Sequence, residues 1–310
     1  MASSVNRALV TGGAGFIGSH LVEGLLGRGI RVTVLDNLST GKVENLPKGS
    51  VRFIEGSILD EGVLADAVEG ASVVFHLAAS VSVPESVDNP SESLRTNSHG
   101  TAMALEAARK AGVRRFIYSS SSAVYGDGPV MPKREDHAPD PISPYAAGKL
   151  AGEAFVRAYA ACFGMDCASL RYFNVFGPRQ RADSPYAAVV PIFLARIREG
   201  KPLHVFGDGE QTRDFTFVSD VVRANLCALD AERLNGGAYN VACGEQVSVN
   251  QLIEEMKRIA GRDVPVEHLS PRAGDVKHSV ADVSLAARDL RYRPEVTWRE
   301  GLRRMFESID

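Results

Sequence analysis

The chain reads Arg7-Ala-Leu-Val-Thr-Gly-Gly-Ala-Gly-Phe-Ile-Gly18 near its start. This stretch opens with a short apolar run that predicts a strand, continues through a glycine-rich turn, and enters the amphipathic segment Phe16 to Arg28, which predicts a helix. Glycines in such a turn let a pyrophosphate approach the backbone N–H groups at the positive end of the helix. The pattern predicts a dinucleotide site, although a glycine-rich strand–helix turn also occurs without a ligand.

The end of the second predicted strand indicates which dinucleotide is bound. Arg31 to Leu35 is followed directly by Asp36, eighteen residues after Gly18. A carboxylate at this point can accept both ribose hydroxyls of NAD and repels the 2′-phosphate of NADP. Because Asn37 follows Asp36 and no arginine is adjacent, the sequence predicts NAD.

The first half of the chain alternates short β-branched runs with longer helical patterns. Further strands are predicted at Val51–Ile54, Ser72–Leu77, Arg114–Tyr118 and Ala238–Ala242, and helices at about residues 60–69, 90–112 and 143–164. Such alternation is typical of right-handed βαβ units. We therefore predict an α/β fold, a Rossmann doubly wound parallel sheet, with a smaller C-terminal α/β substrate-binding domain.

Proline and glycine recur after about residue 172, which suggests a change of domain. We predict an NAD-binding Rossmann domain over residues 1–172, to which about residues 217–242 return. The nucleotide- and substrate-binding domain is predicted over residues 173–216 and 243–310.

The composition of the 310 residues is that of an ordinary globular protein, with 45% hydrophobic and 24% charged residues. A net charge of −3 without a basic block argues against nucleic acid or an anionic membrane as the main partner. The four cysteines and seven histidines show no metal-ligand spacing. With no apolar stretch of membrane-spanning length and no leader pattern in Met1 to Arg7, we expect a cytoplasmic protein without a metal.

A candidate catalytic pair opens the helix predicted at 143–164. Tyr145 and Lys149 are four residues apart and therefore share one helix face. A lysine ammonium beside a phenol lowers its pKa from about 10 and makes it a general base. Such pairs are common on helix surfaces, but this one follows a strand that ends in the serine run Ser119 to Ser122, at the sheet edge where ligands of this fold bind.

Taken together, these motifs resemble the extended short-chain dehydrogenase/reductase superfamily and, within it, the nucleotide-sugar (UDP-glucose and UDP-N-acetylglucosamine) 4-epimerases. The resemblance covers essentially the whole chain. It rests on Thr11 to Gly18, Asp36 to Gly41, His76 to Ala79, Asn97 with Gly100-Thr101, Ser119 to Gly126, Tyr145 with Lys149, Arg171 to Asn174, Gly207 to Gly209 with Arg213-Asp214, and Arg272 with Gly274-Asp275.

The resemblance implies three catalytic residues. Tyr145 would take the proton from the sugar 4-hydroxyl while C4 gives hydride to the nicotinamide, Lys149 would support it, and Ser121 would hold O4. The resemblance also implies an NAD site made of Gly12, Gly15, Phe16, Ile17, Gly18, Asp36, Asn37, Ser39, Thr40, Gly41, Ser57, Ile58, Leu77, Ala78, Ala79, Asn97, Ser119, Tyr145, Lys149 and Tyr172.

A UDP-sugar site is implied as well, with Asn174 and Arg213 binding the diphosphate and Arg272 and Asp275 holding the second phosphate and the uridine ribose. Phe206 or Phe215 would stack on uracil, or would simply pack in the core. The implied set is Ser82, Ser121, Ser122, Tyr145, Asn174, Val189, Val205, Phe206, Arg213, Arg272, Asp275 and Ser279.

Several positions bear on the reaction and the sugar. Related dehydratases carry an Asp-Glu pair where this chain has Ser122-Ala123, and Ser57 replaces the usual aspartate near adenine. A bulky tyrosine at the position of Ser279 excludes an N-acetyl group, whereas serine leaves space. The prediction is thus an NAD-dependent 4-epimerase acting on UDP-GlcNAc/UDP-GalNAc and UDP-Glc/UDP-Gal.

Two alternatives stay open. Relatives that epimerise UDP-glucuronate have an arginine near Arg181 that meets the sugar carboxylate, but they often carry threonine where this chain has Asn174. The other alternative is a non-catalytic NAD-binding regulator. By resemblance alone we also expect a homodimer through the helices at 90–112 and 143–164, which could instead merely cover the sheet.

Overall fold

A computed structural model describes residues 5–182, 188–270 and 276–308. The strands are β1 Arg7–Thr11, β2 Arg31–Asp36, β3 Val51–Glu55, β4 Val73–His76, β5 Arg115–Ser121, β6 Asp166–Tyr172, β7 Val175–Phe176, β8 Leu203–Phe206, β9 Thr212–Arg213, β10 Thr216–Phe217, β11 Gly237–Val241, β12 Val247–Ser248 and β13 Val266–Leu269. The α-helices are α1 Phe16–Gly27, α2 Glu61–Val68, α3 Val83–Asp88, α4 Pro90–Leu94, α5 Gly100–Lys110, α6 Pro144–Phe163, α7 Val189–Glu199, α8 Val218–Asp230, α9 Val249–Ala260, α10 Ser284–Asp289 and α11 Trp298–Glu307.

Seven strands form one parallel sheet in the order β3-β2-β1-β4-β5-β6-β11. The reversal of strand order beside β1 creates the crevice at the carboxyl ends of the strands where this architecture binds ligands. The predicted α/β class and the doubly wound parallel sheet are confirmed.

One strand of the sheet, β6, was not predicted. β5 ends at Ser121, within the serine run where its end was predicted, and Ser122 begins the 3₁₀ turn that follows. In β6 the charged residue Arg171 interrupts the apolar pattern, although it is buried and paired with Glu153 on α6. A charged residue in a short apolar run argues against a buried strand when only its sequence neighbours are considered. The partner that allows Arg171 to be buried lies on another element, so the strand could not be recognised from local polarity.

The sheet is covered on both faces, which explains why its central strands are apolar throughout. On one face, Leu21 and Leu25 of α1 and Val221 of α8 lie in a single core cluster. On the other, Leu64 of α2, Leu105 of α5 and Val156 of α6 form a second one.

A third core lies among the elements that follow β6. Phe193 of α7, Leu252 of α9 and Leu302 of α11 share it. The segment 284–292, although it falls late in the chain, packs Ala286, Leu290 and Tyr292 into the first core, beside the sheet. The division into two domains at the predicted boundaries stays a prediction.

The helix predicted over residues 90–112 contains a local irregularity. Between α4 and α5, residues Arg95–His99 form a π-helical turn. A π turn inserts one residue into the helix and is frequent near functional sites. It turns the side chain of Asn97 toward the loop that follows β4, as described below.

The described ranges contain neither a membrane-spanning helix nor a cluster of metal-binding side chains. No helix within them is long and apolar enough to cross a membrane. Nor do these ranges contain a group of three or more His, Cys, Asp or Glu side chains that could hold a metal ion.

Candidate active site

The glycine turn between β1 and α1 leaves no room for side chains. Gly12 has a φ of +69°, and a Cβ there would lie 2.7 Å from the backbone nitrogen of Ala78. A Cβ on Gly18 would lie 2.1 Å from the carbonyl oxygen of Gly12. α1 begins after Gly15 without a side-chain cap or an acidic residue in its first turn. Its N–H groups are therefore suited to a pyrophosphate.

Asp36 lies beside this turn, at the end of β2. Its buried carboxylate accepts hydrogen bonds from the backbone nitrogens of Ala14 and Leu38, both at 2.9 Å. A Cβ on Gly41 would lie 3.0 Å from each carboxylate oxygen. Since each oxygen can accept a further bond, the carboxylate is suited to a ribose diol. The turn and Asp36 together fit NAD.

The other predicted NAD residues lie around this edge of the sheet. Asn37, Ser39 and Thr40 are exposed, whereas Phe16, Ile17, Gly41, Ser57, Leu77, Ala78 and Ala79 are half-buried and Ile58, Ser119 and Tyr172 are buried. The Ser57 hydroxyl accepts a bond from the backbone nitrogen of Leu59 at 3.1 Å. The hydroxyl of Tyr172 contacts Asn225 of α8, within the core. Their contacts with NAD stay a prediction.

Asn97 holds the loop that follows β4. Its side-chain amide accepts from the backbone nitrogen of Ser80 at 2.9 Å and donates to the Ser80 carbonyl at 2.8 Å. Gly148 of α6 approaches closely, because a Cβ there would lie 2.9 Å from the Cβ of Asn97. The π turn therefore couples the loop that carries Leu77 to Ala79 to the helix that carries the candidate catalytic pair.

His76 is buried at the end of β4 and is not a proton carrier at neutral pH. Its ring nitrogens lie 2.8 Å from the hydroxyl of Thr11 and 3.2 Å from that of Thr101. Burial, together with the nearby charge of Lys149, lowers the pKa of His76 to about 3. The ring is therefore neutral, and it links β1, β4 and α5 beneath the glycine turn.

Ser121, Tyr145 and Lys149 are brought together at the carboxyl end of β5. The Lys149 ammonium donates to the Ser119 carbonyl at 2.8 Å and lies 5.9 Å from the centre of the Tyr145 ring. The Tyr145 hydroxyl is hydrogen-bonded to the side chain of Ser121. α6 starts at this point because Pro144 occupies its first turn and Ser143 caps it.

The electrostatics of the pair differ from the sequence expectation. Burial raises the pKa of Tyr145 above its ordinary value, and the Ser121 hydrogen bond only partly opposes this. Burial also lowers the pKa of Lys149 to about 7, although the negative charge of Glu153 raises that pKa and so opposes part of the shift. In the protein alone, desolvation thus outweighs the expected lowering of the phenol pKa by lysine.

Replacing Lys149 by Met is expected to raise the free energy of unfolding near neutral pH. The pKa of Lys149 falls from 10.5 to about 7 on folding, so within that interval the unfolded chain binds more protons and wild-type stability rises with pH. Between these two pKa values the free energy of unfolding of the wild type rises by roughly 3–5 kcal/mol. The variant has no lysine at this position, so its free energy of unfolding does not show this rise. Urea denaturation across the interval would show the advantage of the variant shrinking as pH increases.

A matched control for this measurement is Lys110→Met, which removes an exposed lysine from α5. Its stability is expected to follow that of the wild type at every pH. A constant gap between Lys149→Met and wild type across the interval would contradict the strong burial of the ammonium.

Several predicted substrate residues line one cavity. Asn174 follows β6 with a φ of +20°, a strained value for a residue other than glycine, of the kind that often marks a functional position. This cavity is lined in part by Asn174, Val189, Val205, Phe206, Arg213 and Phe215. Phe215 also packs edge-to-face on Phe176 within the third core, whereas Phe206 is half-buried.

The remaining predicted substrate residues are distributed around the site. Ser82 caps α3 by accepting from the backbone nitrogen of Glu85 at 3.1 Å, and Ser122 opens the short 3₁₀ turn after β5. Ser279 is buried and donates its backbone N–H to the Thr212 carbonyl at 3.1 Å. Arg272 and Asp275 lie outside the described residues. Arg181, considered for a sugar carboxylate, is exposed.

A buried acid next to the candidate catalytic pair was not predicted from the sequence. Glu153 follows Lys149 by one helical turn and accepts from the hydroxyl of Ser120 at 2.5 Å. The available signal was the repeat of four residues from Tyr145 through Lys149 to Glu153, which places all three on one face of α6. Nothing local indicated that this face would be buried.

Comparisons with known proteins agree with this geometry. Residues 8–242 match the NAD dependent epimerase/dehydratase family. The UDP-glucose 4-epimerase of Mycolicibacterium smegmatis is 40% identical over 97% of both chains. A UDP-glucose 4-epimerase structure from Thermotoga maritima, with UDP-glucose, has 42% identity, a TM-score of 0.94 and 98% coverage of both chains. A UDP-N-acetylglucosamine 4-epimerase from Methanobrevibacter ruminantium, in complex with UDP-N-acetylmuramic acid, has 38% identity, a TM-score of 0.94 and 99% coverage of both chains.

Proposed function

Because the chain belongs to the NAD dependent epimerase/dehydratase family, we propose that it interconverts the C4 epimers of a UDP-hexose with NAD as its cofactor. The resemblance to nucleotide-sugar 4-epimerases and the assignment of NAD are confirmed. The observation that carries the proposal is the meeting of Ser121, Tyr145 and Lys149 at the sheet edge next to the glycine turn.

The chemistry divides between the cofactor and the chain. The glycine turn and Asp36 would hold NAD, which when bound would supply the acceptor and donor of the C4 hydride. Tyr145 removes the proton of the 4-hydroxyl, Ser121 holds O4 at that phenol, and Lys149 supplies the nearby positive charge that favours the phenolate. After the 4-keto sugar has rotated in the pocket and presents its opposite face to the nicotinamide, Tyr145 gives the proton back to O4. No net oxidation results, so the cofactor can stay bound from one turnover to the next.

The region after Ser121 supports epimerisation over dehydration. Loss of the 6-hydroxyl needs an acid and a base there, and the resemblance places them directly after the catalytic serine. In this chain Ser122 and Ala123 begin the 3₁₀ turn instead. Neither side chain carries a carboxylate, so the proposed reaction ends with the return of hydride to C4.

For the sugar, we propose both the N-acetylated and the plain hexoses. The cavity that contains Asn174 and Arg213 would hold the nucleotide, and Ser279 would border the sugar 2-substituent. The backbone N–H of Ser279 donates to the carbonyl of Thr212, which fixes the position of this residue. Because the serine side chain is small, the space that a tyrosine would fill there would be open to the sugar 2-substituent. The alternative substrate, UDP-glucuronate, would need a cation at its carboxylate.

A Ser279→Tyr variant is expected to lose epimerisation of UDP-GlcNAc by at least about tenfold relative to UDP-glucose. The tyrosine ring would occupy the space of the N-acetyl group, and a clash in a closed pocket costs more than a lost contact. Coupled assays of the two kcat/KM values measure the ratio. Ser279→Ala is the matched control and should keep the wild-type ratio. Full N-acetyl activity in Ser279→Tyr would contradict this assignment, while retained UDP-glucose activity shows that the variant folds.

The first experiment is proton NMR of the purified protein with UDP-GlcNAc, UDP-glucose and UDP-glucuronate in separate samples, with and without added NAD. Appearance of the 4-epimer supports the proposal, and the relative rates rank the sugars. Faster conversion of UDP-glucuronate would favour the alternative substrate and a role for Arg181. The absence of any epimer in all samples would overturn the proposal and would favour a non-catalytic role.

The homodimer stays a prediction. The helices expected at its seam carry exposed apolar side chains at Leu94, on α4, and at Phe163, at the end of α6. Arg109 of α5 stacks over the Phe163 ring, with 4.9 Å from its guanidinium carbon to the ring centre.

A further inference from the structure

α6 is tied to the end of β5 at three consecutive residues. Lys149 donates to the carbonyl of Ser119 at 2.8 Å, and Tyr145 is hydrogen-bonded to Ser121. Between them, Ser120 donates its hydroxyl to Glu153 at 2.5 Å. These three contacts form a seam between α6 and β5. Because the three helix residues are one turn apart, the seam sets the position of the helix along the strand. Two of its three ties involve the catalytic pair directly, and the third is made by Glu153.

Glu153 is itself held from behind by a buried cation. Its two carboxylate oxygens accept from Nε and Nη2 of Arg171 at 2.9 and 2.7 Å. Arg171 lies on β6, where it pairs in register with Ser120 of β5. Only 8% of Glu153 and 4% of Arg171 are exposed. A bidentate geometry of this kind fixes the orientation of both groups.

The ion pair continues into the elements that surround the site. The Arg171 guanidinium lies over the ring of Tyr125, with 4.7 Å from its central carbon to the ring centre. The Tyr125 hydroxyl donates to the side chain of Asn240 on β11 at 2.7 Å. Tyr125 ends the 3₁₀ turn that follows Ser121, so the network also braces the turn that carries the catalytic serine.

We propose that Glu153, held by Arg171, is a positioning residue that sets the spacing between Tyr145, Lys149 and Ser121. This inference rests on the proposed epimerase reaction. A buried ion pair is a poor source of stability, since an apolar pair of similar volume often serves as well or better. A positioning role gives a reason for a charged pair at this seam. Glu153 also places a negative charge one turn from Lys149, where it favours the ammonium form.

The test compares Glu153→Met and Arg171→Met with the double variant, measuring the urea midpoint, kcat and KM of each. Each single variant leaves a buried charge without its partner and should lower the midpoint. The double variant should recover the midpoint. Its kcat is expected to stay about ten- to a hundredfold below wild type, with KM within about twofold, because the pair acts on alignment and not on substrate binding.

A matched control is available on the same two strands. Arg115 of β5 and Asp166 of β6 form an ion pair at the opposite end of the strands, with Nε donating to the carboxylate at 2.9 Å. Asp166→Asn should lower the urea midpoint and leave kcat unchanged. A double Met variant that recovers kcat together with its midpoint would overturn the proposal, as would an effect confined to KM.

A second readout does not depend on turnover. The ultraviolet absorbance of phenolate, taken as the difference from a Tyr145→Phe background, follows the titration of Tyr145. We expect that titration to move to higher pH in the double Met variant, because the hydrogen bond to Ser121, which lowers the pKa of Tyr145, weakens when α6 is no longer held in place along β5. An unchanged titration would contradict the positioning role. If the wild type epimerises no UDP-sugar but the titration moves, the proposed function fails while the positioning role stands.

Discussion

A Tyr145→Phe variant is expected to lose about 10²- to 10⁴-fold in kcat for epimerisation of its best UDP-sugar. In the proposed mechanism the phenol removes and returns the proton of the 4-hydroxyl. The only neighbouring hydroxyl bonded to it, within the described residues, is that of Ser121. Serine has no positive partner at that point that would make it a comparable base. Initial rates over a range of UDP-glucose concentrations would separate kcat from KM, and KM should change little.

The matched control for Tyr145 is Tyr159→Phe, on the same helix. The Tyr159 hydroxyl donates to Glu106 at 3.1 Å and lies away from the site. That variant should keep wild-type kcat. A Tyr145→Phe protein that folds, binds NAD and retains more than about a tenth of the activity would remove the phenol from the mechanism.

A Gly18→Ala variant is expected to lose NAD binding and at least about 2 kcal/mol of the free energy of unfolding. The new Cβ would lie 2.1 Å from the carbonyl oxygen of Gly12 and 2.8 Å from the Cα of Gly13. Backbone atoms cannot move aside as a side chain can, so α1 must shift away from the turn that receives the pyrophosphate. Fluorescence titration with NAD and urea denaturation measure the two effects.

Gly27, at the other end of the same helix, provides the control. A Cβ there would meet nothing within 4 Å, so Gly27→Ala should stabilise the protein by about 0.5–1 kcal/mol and leave NAD binding unchanged. Equal behaviour of the two alanine variants would show that the close contact at Gly18 is not a constraint on the turn.

The features that could be predicted from the sequence are those that depend on residues close together in the chain. The glycine turn with Asp36 predicted NAD, and the spacing of Tyr145 and Lys149 predicted one shared helix face. Each of these depends on neighbours within one or two elements, where backbone geometry follows directly from residue type. The alternation of strand and helix patterns predicted the sheet for the same reason, although β6 was missed.

Other features depend on which distant residues become neighbours. Asn97 holds Ser80 across 17 positions, and His76 contacts Thr11 across 65. Neither pairing has a spacing that could be read from the chain, because it arises from strand order and from the π turn. The side chain of Ser82, predicted to bind substrate, also caps α3, a role that any helix start with serine allows. Its contact with the substrate stays a prediction.

The chain by itself determined the family, the cofactor and the candidates for the catalytic pair, since each follows from local patterns of residue type. Only the tertiary structure decided the electrostatics around that pair, because pKa values depend on burial and on charges brought from elsewhere. It buries Lys149 fully and Tyr145 in part, which shifts their pKa values in opposite directions. It also brought Arg171 of β6 against Glu153 of α6, so that the alignment of the site depends on a contact between separate elements.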